Sequence, residues 1–233
     1  HCFVPAENYA KRQPYITPVI IEPAQVAQML TLATRLAPSP NSPLRGAVTR
    51  IALILLYTAG LRLGELLRLT LGDIIENGAL LRIRESKFHK SRWVPLSSSA
   101  SRELRDFLRL RSRIFPTGPS TPLLCNRCRR GGYSHPGMQA ALCRLFVAAG
   151  VCDAHGRRPR VHDLRHSFAV QALIRWFRAG ADVQSCLPKL ALFLGHVSIE
   201  STAHYLHWIP AVRALASARF KKRFGQLVAG GVQ

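Results

Sequence analysis

The sequence predicts a mainly α-helical domain that contains one small β-hairpin or sheet. Apolar residues and helix-ending glycines recur at helical spacing along most of the chain, for example in residues 44–59 and 100–114. Between residues 79 and 96 this pattern changes to two short stretches typical of paired strands. Hydrophobic residues make up 48% of the 233 residues. That content is enough for a buried core and excludes a disordered tail.

The first part of the chain is expected to hold an arm followed by three helices. Residues 1–21 contain proline and tyrosine without a clear period, so they read as an arm or interdomain linker. A helix is expected at about 22–36, with Pro23 in its first turn. The apolar segment 44–59 predicts a second helix that stops at Gly60, and a third helix begins near Leu63.

The remainder predicts the hairpin and then mostly helices. The strands are expected at 79–84 and 92–96, with residues 85–91 as the turn. Ser97 to Ser99 are N-cap candidates for a helix at about 100–114, and residues 123–124 are expected to form a short strand. Further helices are expected at about 137–149, 162–179, 187–194, 198–207 and 210–224.

The charge balance points to a polyanionic partner. Lys and Arg number 33 against 12 Asp and Glu, which gives a net charge of +21. A compact domain with this excess repels itself unless a polyanion is present, so nucleic acid is the leading partner and an anionic membrane surface the lesser one. The apolar run 51–56 is too short to span a bilayer, and no secretory signal is visible. We therefore expect no membrane partner and a cytoplasmic, nucleoid-associated protein.

Several basic residues outside the motifs below are candidates for contacts with a nucleic acid backbone, although each is equally compatible with an ordinary solvated charge. Such contacts would supply affinity but little sequence preference. These candidates are Lys90, Arg92, Arg127, Arg129, Arg130, Arg157, Arg158 and Arg160.

The six cysteines are expected to be reduced thiols, because a chain of this length and apolar content needs no disulfide framework. One alternative is a zinc site formed by Cys125, Cys128, Cys152 and His155, whose residue types and spacing suit zinc. The helix expected at 137–149 would hold the two pairs roughly 20 Å apart, which argues against that site. We expect neither a metal nor a cofactor.

Four short motifs contain residues suited to cleaving a phosphodiester with a tyrosine nucleophile. Arginines can hold the charge that grows on the phosphate oxygens, because a guanidinium binds two oxygens and stays charged. A histidine can accept the tyrosine's proton, and a lysine on a mobile hairpin can protonate the leaving 5′ oxygen. Each residue alone has an ordinary structural interpretation, such as an ion pair of Arg62 with Glu65. The candidates are Arg62, Lys87, His162, Arg165, His196 and Tyr205, with Glu65 in a supporting position.

The same motifs make the sequence resemble the tyrosine recombinase, or phage integrase, family. The similarity runs from about residue 15 to 207 and has four parts: Ala59-Gly60-Leu61-Arg62 with Glu65-Leu66, the hairpin from Lys87 to Leu96, His162-Asp163-Leu164-Arg165-His166, and Leu194-Gly195-His196 followed by Tyr205. The resemblance implies the catalytic-domain fold of these DNA breaking and rejoining enzymes. It also implies a 3′-phosphotyrosine intermediate formed on Tyr205 without metal or ATP, with Glu65 as a structural partner of Arg62.

The resemblance further implies how the chain is divided and what it works with. We expect an arm at 1–21, a catalytic domain at 22–209, and a C-terminal helix and tail at 210–233 that docks either on its own domain or on a neighbouring protomer. The chain begins at His1, which suggests that an N-terminal DNA-clamping part was removed. The expected partners are double-stranded DNA and further copies of the chain, as a tetramer on DNA. The alternatives are an inactive DNA-binding module of the same fold, a type IB-like topoisomerase, and a metal nuclease.

Overall fold

The computed structural model describes residues 17–84, 91–128 and 131–195, together with Tyr205. Within this part of the chain the polypeptide forms seven α-helices and one three-stranded antiparallel sheet, so the fold class predicted from the sequence is confirmed. The helices are α1 (Pro23–Thr34), α2 (Arg45–Thr58), α3 (Leu63–Arg68), α4 (Ser98–Ser112), α5 (His135–Ala148), α6 (Asp163–Arg178) and α7 (Val183–Leu194), and the strands are β1 (Ile74–Ile75), β2 (Leu80–Ile83) and β3 (Arg92–Pro95).

Helix α2 lies at the centre of the domain. Its continuous apolar run from Ile51 to Leu56 is buried on every side, which is why the sequence there lacks a polar face. Helices α1, α3, α4, α5 and α6 all pack against it. The functional segments that precede α3 and begin α6 are therefore attached to one rigid central helix.

A second apolar cluster joins α6 and α7 to Tyr205. Phe168 and Leu173 of α6 pack with Leu190 and Leu194 of α7, and the ring of Tyr205 is buried in the same cluster. Gly60 approaches this cluster so closely that a Cβ there would lie 2.6 Å from Phe168 Cδ1. The packing thus brings the end of α7, the start of α6 and Tyr205 to one side of the domain.

The hairpin predicted at 79–96 is present as β2 and β3, which pair in antiparallel register from Leu80 opposite Pro95 to Ile83 opposite Arg92. Strand β1 was not predicted, because two residues are too few to show a period. Residues 123–124 do not form the expected strand. Both leucines are buried, but pairing is limited to isolated bridges of the flanking Pro122 and Cys125.

Two helices begin earlier than the sequence predicted, because their N-caps lie upstream. Helix α5 begins at His135, where the hydroxyl of Ser134 accepts a hydrogen bond from the backbone N–H of Gly137. Helix α7 begins at Val183, capped by Asp182, and continues through Pro188. The N-cap of α4 is Ser97, one of the three predicted candidates.

The chain before α1 is part of the packed domain where it is described. Val19 and Ile21 are buried, and the backbone N–H of Ile21 donates a hydrogen bond of 2.8 Å to the hydroxyl of Ser167 on α6. This end of the expected arm therefore does not behave as a linker. The predicted helices 198–207 and 210–224 lie outside the described residues apart from Tyr205. No described helix is long and apolar enough to cross a membrane.

Candidate active site

Arg62 is held at the start of α3 by Glu65. The carboxylate of Glu65 accepts the backbone N–H of Arg62 at 2.9 Å and its Nη1 at 2.8 Å. Nη2 of Arg62 donates to the carbonyl oxygen of Gly195 at 3.3 Å, and a quarter of the side chain (25%) stays exposed. The arginine is thus fixed on its inner side while its guanidinium remains open to solvent. The predicted pairing of Arg62 with Glu65 is present.

Arg92 forms a second contact with the same carboxylate, through both of its terminal guanidinium nitrogens. Its Nη1 and Nη2 donate to Oε1 and Oε2 of Glu65 at 3.0 and 2.9 Å, and its Nε donates to the carbonyl of Phe193 at 3.0 Å. The side chain is only 9% exposed. This burial corrects the expectation that Arg92 contacts the nucleic acid backbone, because its donors are turned inward onto Glu65 and α7.

Two arginines keep Glu65 ionised although it is buried. Burial alone would raise the pKa of the carboxyl group, but the hydrogen bonds and charge of Arg92, together with those of Arg62, outweigh it and lower the pKa to about 2. The carboxylate is therefore charged at neutral pH and in mild acid. Breaking the ion pair would leave a buried guanidinium without its counter-ion.

Arg165 on α6 is almost completely buried, at 1% exposure. Its Nη1 and Nη2 each donate a 2.6 Å hydrogen bond, to the carbonyl oxygens of Gly60 and Leu194 respectively. Burial and the charge of Arg62 lower its pKa, but a guanidinium stays charged at neutral pH. Within the described part of the chain, the hydrogen bonds with these two carbonyls use two of its five N–H donors, which leaves donors for an anionic oxygen.

The three-arginine cluster of Arg62, Arg92 and Arg165 meets three consecutive carbonyl oxygens at the end of α7. Arg92 binds that of Phe193, Arg165 that of Leu194 and Arg62 that of Gly195. These carbonyls carry the negative end of the helix dipole, so they suit cations. Gly195 is left-handed (φ 67°), and a Cβ there would lie 2.9 Å from Arg92 Nη1. Only glycine therefore fits between α7 and the cluster.

Each strand of the hairpin is held by an ion pair with a buried carboxylate, which is a different residue for each strand. On β2, Arg82 Nε donates to Asp73 at 3.1 Å, and just beyond the strand Arg84 Nη2 donates to Asp73 at 2.7 Å. Burial opposes ionisation of Asp73, but hydrogen bonds from Thr70 and the two arginines lower its pKa. On β3 the anchor is Arg92 on Glu65. Residues 85–90, which include Lys87 and Lys90, lie outside the described residues.

His162 and His166 lie one helical turn apart at the start of α6. Their rings contact each other edge to face, with centroids 4.7 Å apart. Burial lowers the pKa of His162, and the positive charges of Arg165 and Arg62 lower it further, to about 4. Because His162 keeps an exposed side, the two arginine charges contribute more to this shift than burial does. Burial, then His162, lower the pKa of His166 to about 4 as well. Both rings are therefore neutral at neutral pH.

Tyr205 is buried at 4% exposure, and its hydroxyl lies 2.8 Å from Nδ1 of His166. The two rings are 5.5 Å apart and tilted. Tyr205 is also close enough to Arg165 for the tyrosine's charge to act on the pKa of that arginine. Five residues of the predicted site lie in the described part of the chain, and they converge around the end of α7. They are Arg62, Glu65, His162, Arg165 and Tyr205. Predicted residue His196 lies outside the described residues.

The model of the phage integrase family matches residues 20–210, which is most of the chain. The chain belongs to the phage integrase family. One of its relatives is the Sinorhizobium fredii protein y4rE, named as an integrase/recombinase, which is 36% identical over 87% of this chain and 64% of its own length. This member of the family thus spans less than two thirds of that relative.

Solved structures share the fold of this integrase-family domain. The crystal structure of XerA recombinase has a TM-score of 0.66 at 20% identity and covers 94% of this chain and 69% of its own. The integrase of transposon Tn1549, solved in complex with transposon right-end DNA, has a TM-score of 0.63 at 17% identity and covers 91% of this chain and 68% of its own. The catalytic-domain fold expected from the resemblance is confirmed.

The other backbone-contact candidates of this integrase-family chain differ in exposure and pairing. Arg127 is exposed in the loop before α5, and the loop before α6 exposes Arg157, Arg158 and Arg160. Arg157 is paired with Asp153, and Arg160 with the buried Asp163 at the start of α6. Arg158 has no ion pair among the described residues. Arg129 and Arg130 lie outside them.

The alternative zinc site is not formed. Among the described residues, which include all four of its members, no three His, Cys, Asp or Glu side chains are placed to hold a metal ion. Cys125 is buried and its Sγ lies 2.9 Å from Arg111 Nη2 and 3.0 Å from the carbonyl of Pro122. Helix α5 lies between the two predicted pairs in the chain.

Sequence reasoning missed two residues of this site. His166 was visible in the central motif but was not a candidate, although its i, i+4 spacing from His162 places both on one face of α6. The inward role of Arg92 had no sequence signal, because strand alternation does not identify which buried carboxylate a strand residue will meet.

Proposed function

We propose that this chain is the catalytic part of a site-specific DNA recombinase or integrase, which cleaves and rejoins DNA strands through a 3′-phosphotyrosine intermediate on Tyr205. The observation that carries the proposal is the position of the Tyr205 hydroxyl, 2.8 Å from a histidine of α6 and close to Arg165. A buried tyrosine placed against a neutral base and a guanidinium is suited to act as a nucleophile.

The electrophile would be held by the two arginines predicted as a clamp. Arg62 and Arg165 are each fixed by backbone carbonyls, and each keeps N–H donors beyond those bonds. Negative charge grows on the non-bridging oxygens as the phosphodiester passes through its transition state. Donors fixed before the substrate arrives stabilise that charge without having to reorganise. The position of Arg62, partly exposed, would let a phosphate approach from solvent.

The remaining steps follow from the same chemistry. As the tyrosine oxygen bonds to phosphorus, its proton passes to a histidine of the site, the bond to the 5′ oxygen breaks, and that oxygen takes a proton from Lys87. His162 would bind a non-bridging oxygen. In rejoining, a 5′-hydroxyl of a partner strand attacks the phosphotyrosine and gives its proton back to Lys87, while the tyrosine oxygen leaves and regains its proton from the histidine. Because the phosphotyrosine keeps the energy of the original phosphodiester, the cycle needs no ATP. The charge on the phosphate oxygens would be stabilised by the arginine clamp in place of a metal ion.

The proposed partners are double-stranded DNA and further copies of the chain. The net charge of +21 favours a polyanion, and the Tn1549 integrase with the same fold was solved in complex with DNA. Strand exchange joins ends from two duplexes, each cut on both strands, so we propose a tetramer on DNA. A cytoplasmic, nucleoid-associated location follows from that substrate. Integration, excision and resolution share this chemistry.

A covalent-trap assay tests the proposed function. The protein and its Tyr205→Phe variant are incubated in EDTA with a pool of nicked duplexes, and the products are separated in SDS. We expect an SDS-resistant protein–DNA adduct with the first protein and none with the variant, while both bind DNA equally in a gel shift. The variant loses only the hydroxyl, so its ring continues to pack against α6 and α7.

The alternatives give different results in the same assay. An inactive binding module shifts DNA without forming an adduct, and a metal nuclease cuts DNA only when EDTA is left out. A type IB-like topoisomerase forms the adduct and relaxes supercoiled DNA, but does not join strands of different duplexes. An adduct that persists in Tyr205→Phe would remove Tyr205 as the nucleophile and contradict the proposal.

Arg158 is expected to contribute to DNA affinity through a phosphate contact. It is exposed beside the start of α6 and has no ion pair among the described residues. We expect Arg158→Ala to weaken binding to all sequences and to reduce the slope of log K against log salt by about 1. Arg109→Ala, which removes an exposed arginine of α4 that was not a candidate, is the control. An unchanged slope in Arg158→Ala would remove it from the DNA interface.

A further inference from the structure

The Tyr205 hydroxyl contacts a histidine that the sequence motifs do not mark as part of the reaction. Its oxygen lies 2.8 Å from Nδ1 of His166, within ordinary hydrogen-bond distance. A phenol at neutral pH carries its proton, so Tyr205 can donate and the ring nitrogen can accept. The contact also spans from α6 to a segment 39 residues further along the chain. The geometry therefore already shows a path for the proton that a nucleophilic tyrosine has to lose.

The surroundings of His166 keep its ring neutral and able to accept. Among the described residues, the positive or potentially positive groups that act on it are His162, Arg160 and Arg165, and Asp163 is a negative group that opposes them. Burial and His162, the two largest causes, lower the pKa of His166 to about 4. With the phenol as the donor, Nδ1 is the acceptor, and the proton of the neutral ring is then assigned to Nε2.

His162, the motif histidine, is placed for a different task. Its ring contacts the edge of His166 and keeps an exposed side, whereas His166 is more enclosed. A residue with an exposed side can meet a phosphate oxygen of bound DNA. A more enclosed one that touches the tyrosine is suited to proton transfer. The two neighbouring histidines of α6 thus divide the tasks that a single histidine was expected to perform.

We propose that His166 is a catalytic residue that accepts the phenolic proton of Tyr205 through Nδ1 as the tyrosine oxygen attacks phosphorus. This inference rests on the function proposed above. In cleavage, the O–H bond of Tyr205 breaks, an N–H bond forms on His166, the tyrosine oxygen bonds to phosphorus, and the 5′ oxygen leaves with a proton from a separate acid. In rejoining, His166 returns its proton to the tyrosine oxygen as the phosphotyrosine bond breaks.

Bound DNA strengthens His166 as a base. The negative charge of the phosphate offsets the positive field of Arg62 and Arg165 at the start of α6, and this raises the pKa of the nearby imidazole. The phenol loses its proton as its oxygen bonds to phosphorus, so the transfer to His166 is expected only when a phosphate occupies the clamp.

The test compares His166→Asn with the unchanged protein in single-turnover cleavage of a DNA identified by the trap assay. Asparagine can still accept a hydrogen bond near the position of Nδ1, but it cannot take up a proton. We expect cleavage at neutral pH to fall about 10²- to 10⁴-fold. The rate of the variant should rise about tenfold per pH unit towards the pKa of Tyr205, because hydroxide then removes the proton. His135→Asn, an exposed histidine at the start of α5, is the matched control.

A substrate with sulfur in place of the leaving 5′ oxygen separates this role from that of the acid. A thiolate leaves without a proton, so this substrate should restore cleavage in a variant of the acid, such as Lys87→Met, but not in His166→Asn. Cleavage by His166→Asn within threefold of the unchanged protein would overturn the proposal. A loss of cleavage rate in His166→Asn that is the same at every pH would also overturn it, because such a loss indicates a structural role. Rescue of His166→Asn by the sulfur substrate would overturn it as well.

One measurement does not depend on cleavage. Nitrogen-15 NMR of the free protein should show a neutral His166 with its proton on Nε2, and Tyr205→Phe should move the Nδ1 resonance as the hydrogen bond is lost. A resonance unaffected by Tyr205→Phe would also overturn the proposal. If the unchanged protein forms no adduct with any DNA, the proposed function itself fails and this role fails with it. If His166→Asn forms the adduct as well as the unchanged protein does, only the role of His166 is rejected and the proposed function stands.

Discussion

Replacing Arg165 by alanine is expected to slow formation of the covalent adduct by at least about 10²- to 10³-fold, the cost of removing one preorganised donor to a developing oxyanion. Arg165 is the buried member of the clamp and its fork is fixed by the carbonyls of Gly60 and Leu194. The rate is measured in single turnover at saturating DNA, so that weaker binding does not contribute.

Two further variants separate the chemical role of Arg165 from its structural one. Arg165→Ala leaves two buried carbonyls without donors, so the fold is checked by circular dichroism before the rate is interpreted. Arg62→Ala removes the partly exposed member of the clamp and should slow the reaction by a similar factor with less effect on the fold. Arg109→Ala, which removes an exposed arginine of α4, is the control outside the clamp. A rate near that of the unchanged protein in either clamp variant would reject the clamp.

Replacing Glu65 by glutamine is expected to destabilise the fold by about 3–5 kcal/mol, the usual cost of removing one partner of a buried ion pair. The carboxylate is 3% exposed and accepts hydrogen bonds from Arg62 and, through both oxygens, from Arg92. Glutamine has nearly the same shape but leaves the charge of the buried Arg92 uncompensated. Urea denaturation gives the free energy of unfolding.

The control for this prediction is Glu103→Gln. Glu103 pairs with Arg50 at the surface, with 40% of its side chain exposed, so its loss should cost no more than about 1 kcal/mol. The double variant Glu65→Met with Arg92→Met should regain part of the loss, since neither buried charge remains. A cost for Glu65→Gln as small as that of Glu103→Gln would contradict the buried ion pair.

Acid should reveal the same pair. The pKa of Glu65 lies at about 2 in the folded protein against an ordinary value of 4.5, so the unfolded chain binds a proton before the folded one does. The stability that the carboxylate contributes is therefore present in full above about pH 4.5 and is lost as the pH falls towards 2. Glu65→Gln should lack this part of the acid dependence.

The helical core and the motif residues could be predicted because their signals are local. The apolar run of α2 indicates a buried helix, and the stops at Gly60 and Gly195 follow from the left-handed backbone that glycine permits. His162 and Arg165 are three residues apart in one motif, so their common location required no knowledge of the tertiary fold.

What could not be predicted depends on contacts between distant segments. Arg92 and Glu65 are 27 positions apart, and the sequence pattern was equally consistent with an arginine that faces DNA. The hydrogen bond between His166 and Tyr205 joins residues 39 positions apart. The arginines can use three successive carbonyls at the end of α7 as acceptors only because the helix ends at the site. The packing of α7 on α6 determines where that end lies, and this packing cannot be deduced from a local pattern.

Identifying the amino acid that becomes attached to DNA tests the proposed phosphotyrosine intermediate. The adduct is digested with nuclease and protease and analysed by tandem mass spectrometry, and the released DNA end is tested for direct phosphorylation by a kinase. We expect a nucleotide attached through its 3′ phosphate to Tyr205, and a free 5′-hydroxyl that accepts label without prior phosphatase treatment. Attachment to any other residue, or a 5′ end that already carries phosphate, would rule out this intermediate.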